Sequence, residues 1–162
     1  MSTATSKVLD RYTAGAELPA RAIAGLSREE LLSHPVPGTW SVQQVIAHVV
    51  DSDLIASDRM KRIAAMDRPL LIGYDEAAFA KMLPQDRIDP ARACELFRLN
   101  RLHTADLLRP LPPEAWERWG VHSERGKVTL GAMLEDYCNH LDHHLRFIDE
   151  KRRAMGKPTT AR

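Results

Sequence analysis

Four long segments with helix signals at their ends constrain this chain more than any other feature. Ser41 and Gln44 form a capping box, in which a serine side chain and a glutamine side chain three residues later satisfy free backbone N–H groups. This pattern predicts a helix that begins after Ser41 and runs to about Asp67, before Pro69.

The other long helices have comparable boundaries. Asp89 followed by Pro90 is an N-cap with proline at the first helical position, and Thr129 is the N-cap of the last long helix. Pro69 follows the predicted end of the second long helix and Pro110 that of the third, while Gly156 and Pro158 follow that of the last. The long helices are predicted at 5–25, 41–67, 89–109 and 129–155.

The remaining segments are short. Ser27 and Glu30 predict a second capping box and a short helix, and 69–90 is typical of a long crossover with a helical turn at 75–82. No strands are expected, because no stretch alternates β-branched residues between hairpin turns. Two further segments are predicted to be a short helical piece at 114–119 and a turn at 123–128. The fold class is therefore all-α, a four-helix bundle in one domain over 1–156, with 157–162 as a flexible tail.

Composition excludes several classes of protein. The 162 residues carry 23 Lys and Arg against 22 Asp and Glu, without a basic stripe interleaved with aromatic residues, so nucleic acid is not an expected partner. There is no apolar leader at the N-terminus and no run near the ~18 apolar residues of a membrane span, so we expect a cytoplasmic protein. Cys94 and Cys138 have no CxxC spacing and fall in helical patterns, which favours small buried hydrophobic side chains.

Two histidines share the apolar face of the last helix. At about 100° per residue, His140 and His144 fall in the arc that also holds Leu134, Tyr137 and Leu141. Imidazoles four residues apart rise from one helical face, which is a spacing typical of metal ligands. His143 lies to the side of this arc.

A third inward histidine lies on the second long helix. His48 is at the edge of its apolar face, so packing the two helices together could bring three imidazoles to one point and leave an open position on a divalent metal. The alternative to a metal site is a set of structural histidines that are hydrogen-bonded in the core. Asp53 lies near the middle of the same apolar face, where a carboxylate needs a partner, and a core ion pair is one solution.

Two further residues of this helix are candidates for catalysis. Arg59 lies near the angular edge of His48 and could reach an anionic substrate group, although a solvated arginine fits the same position. Asp51 could orient an imidazole, although its helical angle points outward. The segment from Gly73 to Glu76 either folds a tyrosine and acids toward the bundle mouth or is simply a polar crossover. His34, His103 and His122 are interpreted as structural residues, with His122 near a loop that would cover the site.

These motifs, taken in order, resemble the DinB-like superfamily, and most of all its YfiT-like branch of metal-dependent hydrolases and bacillithiol transferases. The similarity covers about 30–155 and is unrelated to the DNA polymerase that shares the DinB name. The motifs that carry it are Trp40-Ser41, His48 to Ser52, Arg59 to Lys61, Pro69, Gly73 to Glu76, His122 to Glu124, Thr129-Leu130 and Tyr137 to His144.

The resemblance implies a bundle, often dimeric, that holds zinc, nickel or another divalent ion through three histidines. Matched by position, these are His48, His140 and His144, the same three that the helical angles select. The sequence departs from the family pattern at His122-Ser123, where the family has histidine-proline, and at Leu141-Asp142, which shortens a histidine-rich run.

Two classes of function follow. The first is an enzyme whose metal activates water, or a low-molecular-weight thiol, for attack on a small electrophile. The alternative is a metal-binding or sensing bundle without turnover, because no glutamate stands between the histidines as in an HExxH protease.

Overall fold

The capping residues begin the long helices where the sequence predicts. In the computed structural model, which describes residues 3–159, Ser41 Oγ accepts the Gln44 N–H at 3.1 Å, and Gln44 Oε1 accepts the Ser41 N–H at 2.9 Å. Asp89 and Thr129 likewise accept N–H groups of their first helical turns. The helices are α1 (Thr3–Ala14), α2 (Leu18–Ile23), α3 (Arg28–Leu32), α4 (Val42–Ala65), α5 (Glu76–Met82), α6 (Pro90–Leu108) and α7 (Leu130–Ala154).

The first predicted helix is divided into two. A 3-10 turn, Gly15–Glu17, separates α1 from α2, and Pro19 lies in the first turn of α2. The chain passes very close to α6 here, because a Cβ on Gly15 would lie 2.7 Å from Arg101 Nη1. A glycine at this turn therefore admits a buried arginine from a neighbouring helix.

The long helices form a four-helix bundle, as predicted. α4 packs against α6 and α7, while α1 packs against α6 and α7 from the other side, and α2 extends the α1 wall. The core has two apolar clusters, one around Leu9, Met60 and Leu134 and the other around Val45 and Phe97. α4 and α7 contribute to both clusters, so these two helices are held in a fixed relation along their lengths.

Asp53 is part of a buried ion pair, which confirms the interpretation from its helical angle. Its Oδ1 accepts from Arg101 Nε at 2.9 Å, its Oδ2 accepts from Asn100 Nδ2 at 2.9 Å, and Asp53 and Arg101 are each 1% exposed. Arg101 also donates to the backbone carbonyls of Tyr12 and Tyr137. One guanidinium thus links α1, α4, α6 and α7, and Asp53 is committed to the core.

A small sheet is the main departure from the sequence prediction. Strand β1 (Leu70–Leu71) pairs in parallel with β2 (Trp119–His122), and β2 pairs antiparallel with β3 (Gly126–Thr129), so the segment predicted as a turn is partly a strand. Strands of two and four residues are too short to show a readable alternation. The sheet anchors the crossover between α4 and α6 to the end of the bundle.

The C-terminal segment contacts the body as far as the structure describes it. Lys157 Nζ lies 2.6 Å from Glu30 Oε1, and Thr159 Oγ1 donates to Asp149 Oδ1 at 2.6 Å. The rest of the predicted tail, 160–162, lies outside the described residues. Among residues 3–159, no helix is both long enough and apolar enough to span a bilayer.

Candidate metal centre

Three imidazoles converge between α4 and α7. His48 Nε2 lies 3.1 Å from His140 Nε2 and 3.0 Å from His144 Nε2. The helical spacing of four residues brings His140 and His144 together, with ring centroids 4.4 Å apart, and the packing of α4 on α7 supplies His48. The structure thus brings together the three histidines that the sequence singled out.

The site favours neutral imidazoles. Burial, together with the charges of the neighbouring imidazoles, lowers the pKa of His140 to about 4 and that of His144 to about 3. Burial also lowers the pKa of His48, against the opposing charge of Glu76. Since only a neutral imidazole offers a nitrogen lone pair, all three rings are in the ligand form at neutral pH.

The donor set fits a divalent metal. Adjacent nitrogens on a tetrahedral zinc ion would be about 3.3 Å apart, given Zn–N distances of about 2.0–2.1 Å, and the measured separations from His48 are 3.0 and 3.1 Å. Each neutral Nε2 is either an N–H donor or a lone-pair acceptor, so at least two of the three are in the same state and cannot hydrogen-bond to each other. A cation that accepts all three lone pairs would remove this mismatch. His144 Nδ1 is buried without a hydrogen-bond partner in the described part of the chain, which is consistent with a ring fixed by its other nitrogen.

An outer hydrogen-bond chain orients His48. Tyr74 Oη lies 3.4 Å from His48 Nδ1 and is hydrogen-bonded to Ser52 Oγ, one helical turn beyond His48 on α4. If Nε2 carries the lone pair, Nδ1 carries the proton and donates it to Tyr74. A partner on the second ring nitrogen fixes both the tautomer and the orientation of a metal ligand.

Glu76 brings a carboxylate to the same point, and sequence reasoning did not select it. Its Oε2 lies 3.7 Å from His48 Nε2, and its side chain is 59% exposed. Glu76 is the first residue of α5, which Asp75 caps by accepting the Ala78 N–H at 2.9 Å. The segment from Gly73 to Glu76 therefore folds toward the bundle mouth, the option that the sequence left open.

A cleft of about 520 Å³ opens over the imidazoles. Trp40 forms one wall, with its ring centroid 5.2 Å from that of His48. Phe147 forms another, with its ring 5.9 Å from that of His144. Glu76, His140, His143 and Lys151 also line this cleft. The histidine cluster is thus open to a small molecule through this cleft.

Asp51 and Arg59 lie away from the imidazole nitrogens. Asp51 is half-buried in a separate cavity beside Leu83 and α6, where burial raises the pKa of its carboxyl. Arg59 is buried, donates to Tyr137 Oη at 3.1 Å and to the Ile72 carbonyl, and does not contact the cleft lining. Arg59 instead holds the Tyr137 ring, whose centroid is 5.6 Å from that of His140.

The other histidines lie outside the cluster. His143 is exposed at the cleft edge and packs on Phe147, and His34 Nδ1 is 2.9 Å from the Thr39 carbonyl oxygen. His103 is exposed on α6. His122 is buried at the end of β2, where its Nδ1 accepts the Glu124 N–H at 3.2 Å. The adjacent Ser123 Oγ accepts the Gly73 N–H at 2.8 Å, so this loop supports the segment that carries Tyr74 and Glu76.

The chain belongs to the DinB superfamily, whose sequence profile matches residues 12–148. It is 32% identical to a protein of Bacillus mycoides KBAB4 with the name "Putative metal-dependent hydrolase BcerKBAB4_2443", over 96% of this chain and 92% of that protein. It is 28% identical to "Putative metal-dependent hydrolase YfiT" of Bacillus subtilis, over 86% of this chain and 81% of that one.

Solved structures support the same fold. The structure of YfiT from Bacillus subtilis, described as a probable metal-dependent hydrolase with an unusual four-helix bundle topology, matches with a TM-score of 0.87 and 27% identity, over 96% of this chain and 90% of that one. A mycothiol-dependent maleylpyruvate isomerase matches with a TM-score of 0.69 and 16% identity, over 88% of this chain and 59% of that one. The second likeness concerns the fold alone.

Proposed function

We propose that this protein is a metal-dependent enzyme that acts on a small electrophilic molecule, with His48, His140 and His144 as the metal ligands. The observation that carries the proposal is the convergence of three neutral imidazole nitrogens at the base of an open cleft. A divalent ion held there, with zinc or nickel the ions we expect, would act as a Lewis acid that makes water or a thiol more acidic. The names of the relatives as metal-dependent hydrolases support the same class of chemistry.

Glu76 is the proposed proton acceptor. Its carboxylate lies at the cleft mouth, 3.7 Å from His48 Nε2 and with most of its surface exposed, so it can approach a nucleophile above the imidazoles. A general base positioned in this way contributes about 10²–10⁴-fold to a rate. Glu76 thus offers a general base although no glutamate stands between the two histidines of α7 as in an HExxH protease.

The experiment begins with metal analysis of protein purified without a histidine tag. We expect about one divalent ion per chain, and protein that cannot be loaded with zinc or nickel would refute the proposal. Turnover is then measured with 4-nitrophenyl acetate, and with 1-chloro-2,4-dinitrobenzene with and without a low-molecular-weight thiol. Thiol consumed in step with the electrophile identifies a transferase, ester cleavage without thiol identifies a hydrolase, and bound metal without turnover favours the alternative, a metal-binding or sensing bundle.

Two variants test the roles of the residues. His48→Ala leaves only the α7 pair to hold the metal, so we expect activity to fall to background even with excess metal. Glu76→Gln keeps the shape of the side chain and should retain the metal while the kcat falls by about 10²–10⁴-fold. Glu135→Gln, which changes an exposed glutamate of α7, is the matched control. If Glu76→Gln loses metal instead, Glu76 is a fourth ligand and not the base.

A further inference from the structure

Lys151 is a buried cation without an ion-pair contact among the described residues, and the neighbouring Glu150 acts on it only through its charge. It lies on α7, is 2% exposed, and its Nζ makes one hydrogen bond, a donation to Thr39 Oγ1 at 2.5 Å. No carboxylate lies within ion-pair distance of it among residues 3–159. An ammonium has three N–H donors, so at least two are left without a protein partner.

Other cations at this end of the bundle have more partners, although Arg152 Nε is also buried without a hydrogen-bond partner among residues 3–159. Arg152, the next residue, is also buried, and its Nη1 donates to the carbonyls of Ala22 and Ala24 at 3.1 Å, where α2 ends. Lys157 pairs with Glu30. Lys151 is different because a single hydroxyl is its only partner, and a buried charge in that situation is costly unless an anion compensates it.

The position of Lys151 relates it directly to the metal centre. It lines the same cleft as His140 and His144. Seven residues separate His144 from Lys151, which is about two turns and about 10 Å along the helix axis, so both side chains leave the same face of α7.

The cleft between these two groups has aromatic walls. Trp40 packs beside His48, and Phe147 lies between His144 and Lys151 in sequence and is 39% exposed. Glu76, the acidic residue of the cleft lining, lies at the imidazole end. The cleft thus has a reactive end with a carboxylate and, across an aromatic middle, a cationic end.

We propose that Lys151 is an anion-binding site for the carboxylate of the small molecule that occupies this cleft, and that it sets substrate specificity from a position two turns of α7, about 10 Å along the helix axis, beyond His144. The inference deepens the proposed function, on which its relevance to catalysis rests. The bound carboxylate supplies the missing charge partner, and the planar or apolar part of the molecule packs between Trp40 and Phe147. The carboxylate belongs either to the electrophile or to the thiol.

The test is binding, so it does not depend on turnover. Metal-free protein is titrated with 3-phenylpropionate and with its neutral counterpart 3-phenylpropanamide, followed by NMR chemical shifts. We expect the carboxylate to bind more tightly than the amide, and Lys151→Met to weaken carboxylate binding by about tenfold, the equivalent of one charge-assisted hydrogen bond. Lys151→Arg should restore most of the preference, and Lys61→Met, an exposed lysine of α4, should change nothing.

Each outcome decides the proposal. Equal affinities of wild-type protein for acid and amide, or a Lys151→Met variant that is folded by circular dichroism and binds the acid as well as wild type does, would overturn it. Because methionine replaces the aliphatic stem without the charge, we expect that variant to fold at least as stably as wild type. Metal-free protein separates this result from the proposed function, which fails independently if the chain cannot be loaded with metal.

A second pair of titrations identifies the source of the carboxylate. Zinc-loaded protein is titrated with mercaptosuccinate and with 2-mercaptoethanol. If Lys151→Met weakens mercaptosuccinate as well as 3-phenylpropionate, the site accepts the carboxylate of the thiol, and if it weakens 3-phenylpropionate alone, the site receives the electrophile. A variant that weakens neither refutes the site.

Discussion

At the residue scale, the direction of each imidazole decides what it can do. His143 and His144 are adjacent, yet His143 is exposed beside Phe147 while His144 turns inward to within 3.0 Å of His48. The 100° step of the helix is the whole cause of this difference. The number of histidines in this motif therefore does not show which of them face the cluster, whereas their positions in the helical register do.

Metal content of three variants tests this register. We expect His140→Ala and His144→Ala each to lose bound metal, with affinity reduced at least 100-fold, because two imidazoles hold a divalent ion far more weakly than three. His143→Ala should retain at least most of its metal. Atomic absorption of dialysed protein measures all three, and an empty His143→Ala beside a loaded His140→Ala would show that the register is wrong.

The lowered imidazole pKa values predict acid sensitivity of the metal-free protein. The folded-state pKa values of about 4 for His140 and about 3 for His144 lie below the ordinary value of 6.5, so the unfolded chain binds more protons between these limits. The contribution of these two neutral histidines to the unfolding free energy is thus fully present above about pH 6.5 and is lost as the pH drops from there toward 4. We expect the Tm in EDTA to fall by several degrees between pH 7 and pH 5.

A double variant is the control for this effect. In His140→Gln with His144→Gln the two groups with the most strongly lowered pKa values are gone and His48 remains, so the fall in Tm over the same pH range should shrink. A slope as steep as that of wild type would assign the acid sensitivity to other groups. His103→Gln, which changes an exposed histidine of α6, should keep the wild-type slope.

At the scale of elements, the small sheet positions the crossover over the site. β1 ends at Leu71, and the chain then reaches Tyr74 and Glu76 within five residues. Ser123, in the turn between β2 and β3, holds the Gly73 N–H. The sheet contributes little to the core, but it fixes the direction in which this segment leaves the bundle.

Gly120 in β2 makes the close strand approach possible. A Cβ there would lie 2.8 Å from the Pro69 carbonyl oxygen and 2.9 Å from Leu71 Cδ1, so Gly120→Ala must displace β1. We expect a loss of about 1–3 kcal/mol in unfolding free energy, typical of overpacking, and reduced turnover with the metal still bound. Denaturant unfolding and metal analysis measure both effects.

Gly131→Ala is the matched control for this variant. Its added Cβ would lie 3.6 Å from the Trp116 carbonyl oxygen, an ordinary contact, within the first turn of α7. Alanine in place of glycine there should leave stability unchanged or raise it by up to about 1 kcal/mol. If both variants lose stability equally, the close approach at Gly120 is not the cause.

At the scale of the whole molecule, the three-histidine cluster joins two helices that the core already holds together. α4 and α7 share both apolar clusters, and Arg101 connects them independently of the histidines through Asp53 and the Tyr137 carbonyl. The site is thus built on a rigid frame. Such a frame keeps three ligands convergent before any ion arrives.

Assembly is a separate prediction at this scale. We expect a homodimer, on the grounds of the family resemblance and the apolar content of the long helices. Light scattering at micromolar concentration measures the mass directly. A mass of 18.3 kDa, that of one chain, would remove the prediction and leave the metal site untouched.

Much of the fold follows from local sequence signals. The capping boxes, Asp89-Pro90 and Thr129 set the starts of α3, α4, α6 and α7, since a cap satisfies N–H groups within three residues of itself. The same local periodicity placed His48, His140 and His144 inward. The division of α1 from α2 was missed, although Pro19 is a local signal for it, whereas the close contact of Gly15 with Arg101 involves a residue distant in the sequence.

The tertiary structure alone decided which polar side chains line the cleft and what each of them contacts. Glu76 reaches His48 only because a short sheet redirects the crossover, and strands of two to four residues leave no periodic pattern to read. The helical spacing places Lys151 on the same face of α7 as His144, two turns away. The lack of an ion-pair partner for its ammonium group is visible only in the folded structure. Helix position and face are local properties that the sequence determined, whereas the partners of a buried charge depend on contacts between distant segments, which only the folded chain decides.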